Sequence, residues 1–203
     1  MKRLAFILAI VWLIAGCGNT DVRPHHYGSF DEVVDTPASF AFTETTLAGL
    51  LYRAENVVRG RMGDDARIVF QFNDYFNPER PTGGDNLVSL EILEVIQGNL
   101  RVGDIITIVE PYSIEDGILY TRDNYLPSIP HQEYFFFLSE QIDSRVRTEA
   151  LIGAYWVLHG ERSRFPVPAS GQNLDEIDLA FGSHANVELY MRLWQDVLDA
   201  FMH

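Results

Sequence analysis

The chain has 203 residues, 47% of them hydrophobic, with a single cysteine and a formal net charge of −14. That is enough apolar material for one domain with a substantial core, and it excludes a disordered tail or a disulfide-stapled scaffold. The acidic balance disfavours nucleic acid and anionic head groups as partners.

The first segment reads MKRLAFILAIVWLIAGC. Lys2 and Arg3 form a positive start, Leu4 to Ala15 is an unbroken apolar run, and the small residues Ala15 and Gly16 end it. This is the layout of a secretory signal peptide. A bilayer-spanning helix needs roughly 20 apolar residues, so the run is too short for an ordinary transmembrane anchor. Leu13-Ile14-Ala15-Gly16-Cys17 resembles the lipobox of bacterial lipoproteins. The resemblance implies a diacylglyceryl group on the Cys17 sulfur, cleavage just before Cys17, and a palmitate-type lipid anchor. Two acyl chains are about what stable attachment requires. Residues 1–16 are therefore expected as signal peptide, and the mature domain then contains no cysteine. The expected location is extracytoplasmic, on the outer face of the cytoplasmic membrane, or on the outer membrane if the source is Gram-negative. Loss of Lys2, the only lysine, and of Arg3 makes the mature chain more acidic still.

Residues 17–43 carry Gly, Pro, Ser, Thr and Asp at intervals that break any period, and read as a spacer between lipid and domain, with an extended piece around Phe40 to Phe42. His25-His26 in such an arm is a weak metal candidate. Residues 44–203 are expected to form one domain. Leu47, Leu50, Leu51 and Ala54 fall on one helical face, with Thr45 or Thr46 as cap.

The period then changes to two. VVRGRM and ARIVFQFN read as strands around Gly63-Asp64-Asp65. DYFNPERPTGGDN, rich in Pro, Gly, Asn and Asp, reads as a long break. LVSLEILEVIQ is the clearest strand, with Leu90 and Ile92 on one face and Glu91 on the other. DIITIVEP, GILYTRDN, QEYFFFLSE, AYWVLHG and SRFPVP follow as short strands, and Phe135-Phe136-Phe137-Leu138 is too apolar for an edge. At the end, Val187, Met191, Trp194, Leu198 and Phe201 make a helical stripe behind an Asn186 cap. The fold class expected is mainly β: a small barrel or sandwich with a helix before it and an amphipathic helix after it.

A second resemblance concerns residues 53 to 167. Ala54-Glu55-Asn56-Val57-Val58-Arg59-Gly60, then Glu94-Val95 within 88–98, Val102-Gly103-Asp104, the aromatic run Tyr134 to Leu138 and the segment Gly160 to Val167 follow one another in order. This order resembles a group of uncharacterised lipoproteins of Gram-positive bacteria. Its layout is similar to the OB-like barrel of netrin and tissue-metalloproteinase-inhibitor domains. Those inhibitors depend on disulfides and a free N-terminal cysteine amine. Here the domain has no cysteine and Cys17 would be acylated, so the resemblance implies a fold and no inhibitory mechanism.

Catalytic signatures are missing from the sequence. No G-x-S-x-G frame includes Gly153-Ala154 or Gly182-Ser183-His184, and Gly83-Gly84 is not followed by a phosphate-loop lysine. No D-x-D-x-D-G run or H-E-x-x-H spacing marks a metal. Glu115-Asp116 and Asp175-Glu176 are what any acidic chain offers, and His131, His159 and His184 stand alone. The segment 110–131 is the best candidate surface. It places Tyr112, Tyr120, Arg122 and Tyr125 among polar residues between prolines, and exposed tyrosines suit protein contacts. The alternative is that these tyrosines cover the barrel's own core. The expectation is a lipid-anchored, non-enzymatic interaction module for another envelope protein, with no cofactor and no metal. A binder of a small ligand, glycan or cation is the second reading, and an envelope hydrolase the third.

Overall fold

The computed structural model describes residues 31–36, 44–73, 77–122, 125–144, 148–158, 160–168 and 187–202. Cys17 and its leader, His25-His26, Phe40 to Phe42, Asp175-Glu176, Gly182-Ser183-His184, His159 and Asn186 lie outside them. Strand β1 (Glu32–Thr36) precedes helix α1 (Leu47–Arg53). Strands β2 (Asn56–Met62), β3 (Arg67–Asn73), β4 (Asn77–Gln97), β5 (Ile105–Glu110), β6 (Tyr112–Glu115), β7 (Ile118–Arg122), β8 (Glu133–Gln141), β9 (Tyr155–Val157) and β10 (Arg164–Pro166) follow. Helix α2 (Val187–Phe201) ends the series.

Five of these strands close into a barrel. The neighbours run β8-β2-β4-β5-β9, and β9 pairs back onto β8. All of these pairings are antiparallel except β5 with β9, which is parallel. Numbered one to five in chain order, the barrel strands stand 1-2-3-5-4, the Greek-key order of an OB-like barrel. The fold is mainly β, with one helix before the barrel and one at the C-terminus.

The alternation of strand side chains explains why β8 is apolar from Tyr134 to Leu138. Tyr134, Phe136 and Leu138 point into the barrel with Val58, Met62, Leu90, Ile92 and Ile108. Phe135 and Phe137 point outward into a second core, where Leu50 of α1 and Tyr190, Leu193, Trp194, Val197 and Leu198 of α2 cover them. A strand buried on both faces has no use for a polar position. The buried residues of α2 fall at i, i+3, i+4, i+7 and i+8, so the face that docks is centred beside the expected stripe and adds Tyr190, Leu193 and Val197 to it. The Trp194 indole donates to the Pro166 carbonyl at 2.9 Å and the Tyr190 hydroxyl to the Arg164 carbonyl at 3.0 Å, which ties α2 to β10. Helix α1 starts where Thr46 accepts from the Gly49 amide at 3.1 Å, as a capping threonine should.

Three segments differ from the sequence reading. The break expected over 74–86 is largely strand: β4 begins at Asn77 and pairs with β3 before entering the barrel. The register shifts around Phe72, opposite Pro81, so the Pro and Gly residues mark irregular pairing rather than a loop. Close packing accounts for Gly84, where a Cβ would come within 2.7 Å of the Ser113 Cβ. Residues 32–36 of the expected spacer form β1, which runs parallel to β7 at the edge of a small sheet ordered β1-β7-β6. And 110–131 is not an external decoration: it supplies β6, β7 and several members of the barrel core. Its tight turn has Asp116 at φ 50° and Gly117 at φ 82°, the positive pair that a two-residue hairpin demands. Among the described residues, no helix is long and apolar enough to cross a membrane.

Candidate functional site

The densest polar constellation gathers where β5 ends. Glu110 is fully buried, and its Oε1 accepts from four donors: the Tyr125 hydroxyl at 2.6 Å, the Ser128 amide at 3.3 Å, the Ser128 hydroxyl, and Arg164 Nη1 at 3.2 Å. Its Oε2 accepts from Asn86 Nδ2 at 3.2 Å. Arg164 Nη1 also donates to the Ser128 hydroxyl. The guanidinium lies 4.5 Å from the Tyr125 ring centre and 5.1 Å from that of Tyr134, which adds cation–π attraction in a dry setting. Tyr112 stacks on Tyr125 at 6.4 Å, and Thr121 donates to the Tyr125 carbonyl.

The electrostatics follow from this enclosure. Burial pushes the Tyr125 hydroxyl well above the usual range for a phenol; the positive charge of Arg164 works against that shift, while Glu110 reinforces it. Burial disfavours the Arg164 cation, but Tyr125, Tyr134 and Glu110 more than offset it, and the guanidinium is held above its ordinary value. Arg164 and Glu110 thus form a neutralised pair in which each carries hydrogen bonds besides the ionic one. Chemically it is a clamp. Ser128 is fully buried and its hydroxyl already donates to a carboxylate, so it is not placed to attack a substrate. The clamp connects β5, β10 and the loop that precedes β8.

A second ionic contact lies nearby. Asp85, fully buried on β4, sits 3.1 Å from Arg122 Nη1, and Arg122 Nη2 donates to the Gly84 carbonyl at 3.4 Å. The barrel exterior carries an exposed ladder in which Arg61 bridges Glu91 at 3.2 Å and Glu133 at 3.1 Å, with Arg59 beside Glu94 and Glu133. Such pairs contribute little in water.

The four residues expected to form an interaction surface are thereby separated. Tyr112 is 1% exposed and Tyr125 is fully buried, so both belong to the core and cannot be presented to a partner. Their hydroxylated rings pack where an ionic pair needs both apolar contact and donors. Tyr120 and Arg122 are half-buried, and Arg122 is already engaged with Asp85. Glu110, Ser128 and Arg164 had no signal in the sequence. Glu110 and Arg164 are 54 positions apart in the chain, and no local pattern links them.

A polar groove of about 420 Å³ opens at the rim formed by the start of β2, the β4–β5 turn, the end of β8 and the start of β9. Glu55, Asn56, Gly98, Asn99, Glu140, Gln141 and Tyr155 line it. Asn56 is structural: its side chain accepts from the Asn99 amide at 3.2 Å and donates to the Ser139 carbonyl at 3.4 Å. Among the described residues, no group of three or more His, Cys, Asp and Glu side chains is arranged to hold a metal ion.

The chain matches no protein-family model, and no curated protein has a sequence significantly similar to it.

Proposed function

We propose that the protein is a lipid-anchored, extracytoplasmic binding module with no enzymatic role, tethered through Cys17 and engaging another envelope protein. The observation that carries this reading is the lipobox sequence Leu13 to Cys17, placed ahead of a barrel whose interior is filled by its own side chains. A filled barrel leaves recognition to rims, loops and edges. In the polar constellation Glu110 accepts from Tyr125, Ser128, Asn86 and Arg164, which favours a structural role for that carboxylate over a catalytic one.

With Tyr112 and Tyr125 buried, the surface that remains for a partner is the small sheet. Among the described residues β1 pairs only with β7, so its other edge presents backbone donors and acceptors, flanked by Val33 at 52% exposure and by Tyr120 on β7. An open edge of this kind is suited to strand addition. The test is crosslinking in living cells with the full chain, comparing the wild-type sequence with Val34→Pro, which blocks backbone pairing at β1, and with Tyr120→Ala. A specific envelope protein captured by the wild type and lost in Val34→Pro supports the reading. Capture that survives both substitutions contradicts the assignment of this edge. Deleting 110–131 is not a usable test, because the deletion removes Glu110, Tyr112, Leu119 and Tyr125 from the core.

A further inference from the structure

We infer that the open edge of β1 takes an extended segment in which two apolar, β-branched residues stand between two basic ones. The inference rests on the reading of that edge as the docking surface and adds the chemistry of the strand that fits it.

The edge carries a pattern of its own. Strand β1 reads Glu32-Val33-Val34-Asp35-Thr36. Side chains alternate across a strand, so Val33 and Asp35 share the face of Leu119 and Thr121 on β7, while Glu32 and Val34 share that of Ile118 and Tyr120. Leu119 and Thr121 are buried, yet Val33, directly beside Leu119, is 52% exposed. Strand β1 therefore overhangs the barrel. An apolar side chain stands at its rim with no strand on the outer side among the described residues.

The charge of the small sheet is one-sided. Asp31, Glu32 and Asp35 are exposed carboxylates at the start of β1 and along it. Glu115 lies in the same row as Glu32, since both stand opposite Ile118, and Asp116 turns the hairpin beside it. Asp31 is fixed at this end, where its amide donates to the Gly117 carbonyl at 3.0 Å. Arg122 is the one cation on the three strands; it lies at the far end, opposite Thr36, and is held by Asp85. A strand that enters this edge meets negative charge on both sides of a Val-Val centre.

Cross-strand pairs favour apolar contacts and opposite charges, and like charges set opposite each other are penalised. The complement of Glu-Val-Val-Asp is basic, apolar, apolar, basic. That order reads the same from either end, so it serves parallel and antiparallel addition alike. A second copy of β1 fits less well. Antiparallel pairing that matches Val33 with Val34 sets Glu32 against Asp35, and pairing centred on Val34 sets Val33 against Asp35. Parallel pairing in register sets each carboxylate against itself. The chain's charge of −14 adds repulsion between copies and draws in a basic segment.

The test is calorimetric titration of the full chain, in detergent at low salt, with three end-blocked peptides. One carries Lys-Val-Val-Lys and one Glu-Val-Val-Glu in the same Ser/Thr flanks. The third is the lysine peptide N-methylated along its core, which keeps the charge and loses the backbone donors. Saturable one-to-one binding of the lysine peptide is expected, weaker by about tenfold or more for the other two. Glu32→Lys/Asp35→Lys reverses the preference between lysine and glutamate peptides, and both side chains are exposed, so the swap spares the core. Equal binding of the lysine and glutamate peptides overturns the inference, and so does lysine-peptide binding that survives N-methylation, which would be charge attraction alone. Binding by none of them would mean that the carboxylates only guard the edge against pairing, and overturns it too. Self-association of the full chain that is lost in Val34→Pro would give the edge to a second copy instead. The crosslinking comparison with Val34→Pro reads the use of the edge whatever the charge of its partner, so the two readings fail separately.

Discussion

Arg164 Nη1 lies 3.2 Å from Glu110 Oε1, and the two side chains are 1% and 0% exposed. Glu110 ends strand β5 and Arg164 begins β10, so the contact fastens β10, the last strand among the described residues, to the barrel. A pair so enclosed is costly to desolvate, and Tyr125, Ser128 and Asn86 offset part of that cost by donating hydrogen bonds to Glu110. Breaking it from one side strands a buried charge. Arg164→Met is expected to destabilise the protein by about 3–5 kcal/mol in urea unfolding. Glu110→Met/Arg164→Met removes both charges and is expected to recover a large part of that loss. A double variant less stable than either single one would contradict the clamp.

Tyr125→Phe keeps the stacking on Tyr112 and deletes one donor to Glu110. The expected cost is about 1–3 kcal/mol, because an acceptor in a sealed site is left short. An unchanged unfolding midpoint would show that the hydroxyl is not part of the network.

The same phenol sets a pH limit. Its folded-state pKa is raised, chiefly by burial, above the ordinary value of 10.0 that it regains on unfolding. The unfolded chain therefore releases this proton first as pH rises, and the stability contribution is complete below about pH 10 and declines above it. Unfolding measured from pH 8 to 11 should show a fall beyond pH 10 that is smaller in Tyr125→Phe. Parallel curves for the two proteins would refute the linkage.

Helix α2 is held by Trp194, whose indole donates to the Pro166 carbonyl and which packs in the core outside β8. Trp194→Ala opens a cavity and leaves that carbonyl without its donor, with an expected loss of about 3–5 kcal/mol. Hydrogen exchange should then quicken in α2 and along β10. Protection unchanged in both would mean that the helix does not depend on this contact.

The sequence made the local features readable and the long-range ones opaque. A threonine cap at Thr45 or Thr46 and Phe135 to Leu138 as a central strand rest on signals within a few residues of themselves; the structure selects Thr46 as the cap and sets the strand between β2 and β10. The stripe of Val187, Met191, Trp194, Leu198 and Phe201 has the period of the docked face of α2 but omits one side of it, because Tyr190, Leu193 and Val197 lie beside that row. The stretch from Asn77 reads locally as a loop because Pro78, Pro81, Gly83 and Gly84 punctuate it, whereas pairing with β3 overrides that local preference. Asp116-Gly117 is a hairpin signal in the sequence itself, and the two strands it joins, β6 and β7, lie within 110–131. Tyr125 is enclosed in part by Arg164 of β10, distant in the chain, a relation that no window of sequence contains.

The measurement that bears most directly on the anchored binding module is the mass of the N-terminal peptide from protein extracted from the membrane fraction of the native cells. The account predicts a peptide that begins at Cys17 and carries a diacylglyceryl group, and a Cys17→Ser variant that loses both the lipid and the membrane fraction. A peptide that begins at Met1, or an unmodified Cys17 thiol on protein in the soluble fraction, would contradict it.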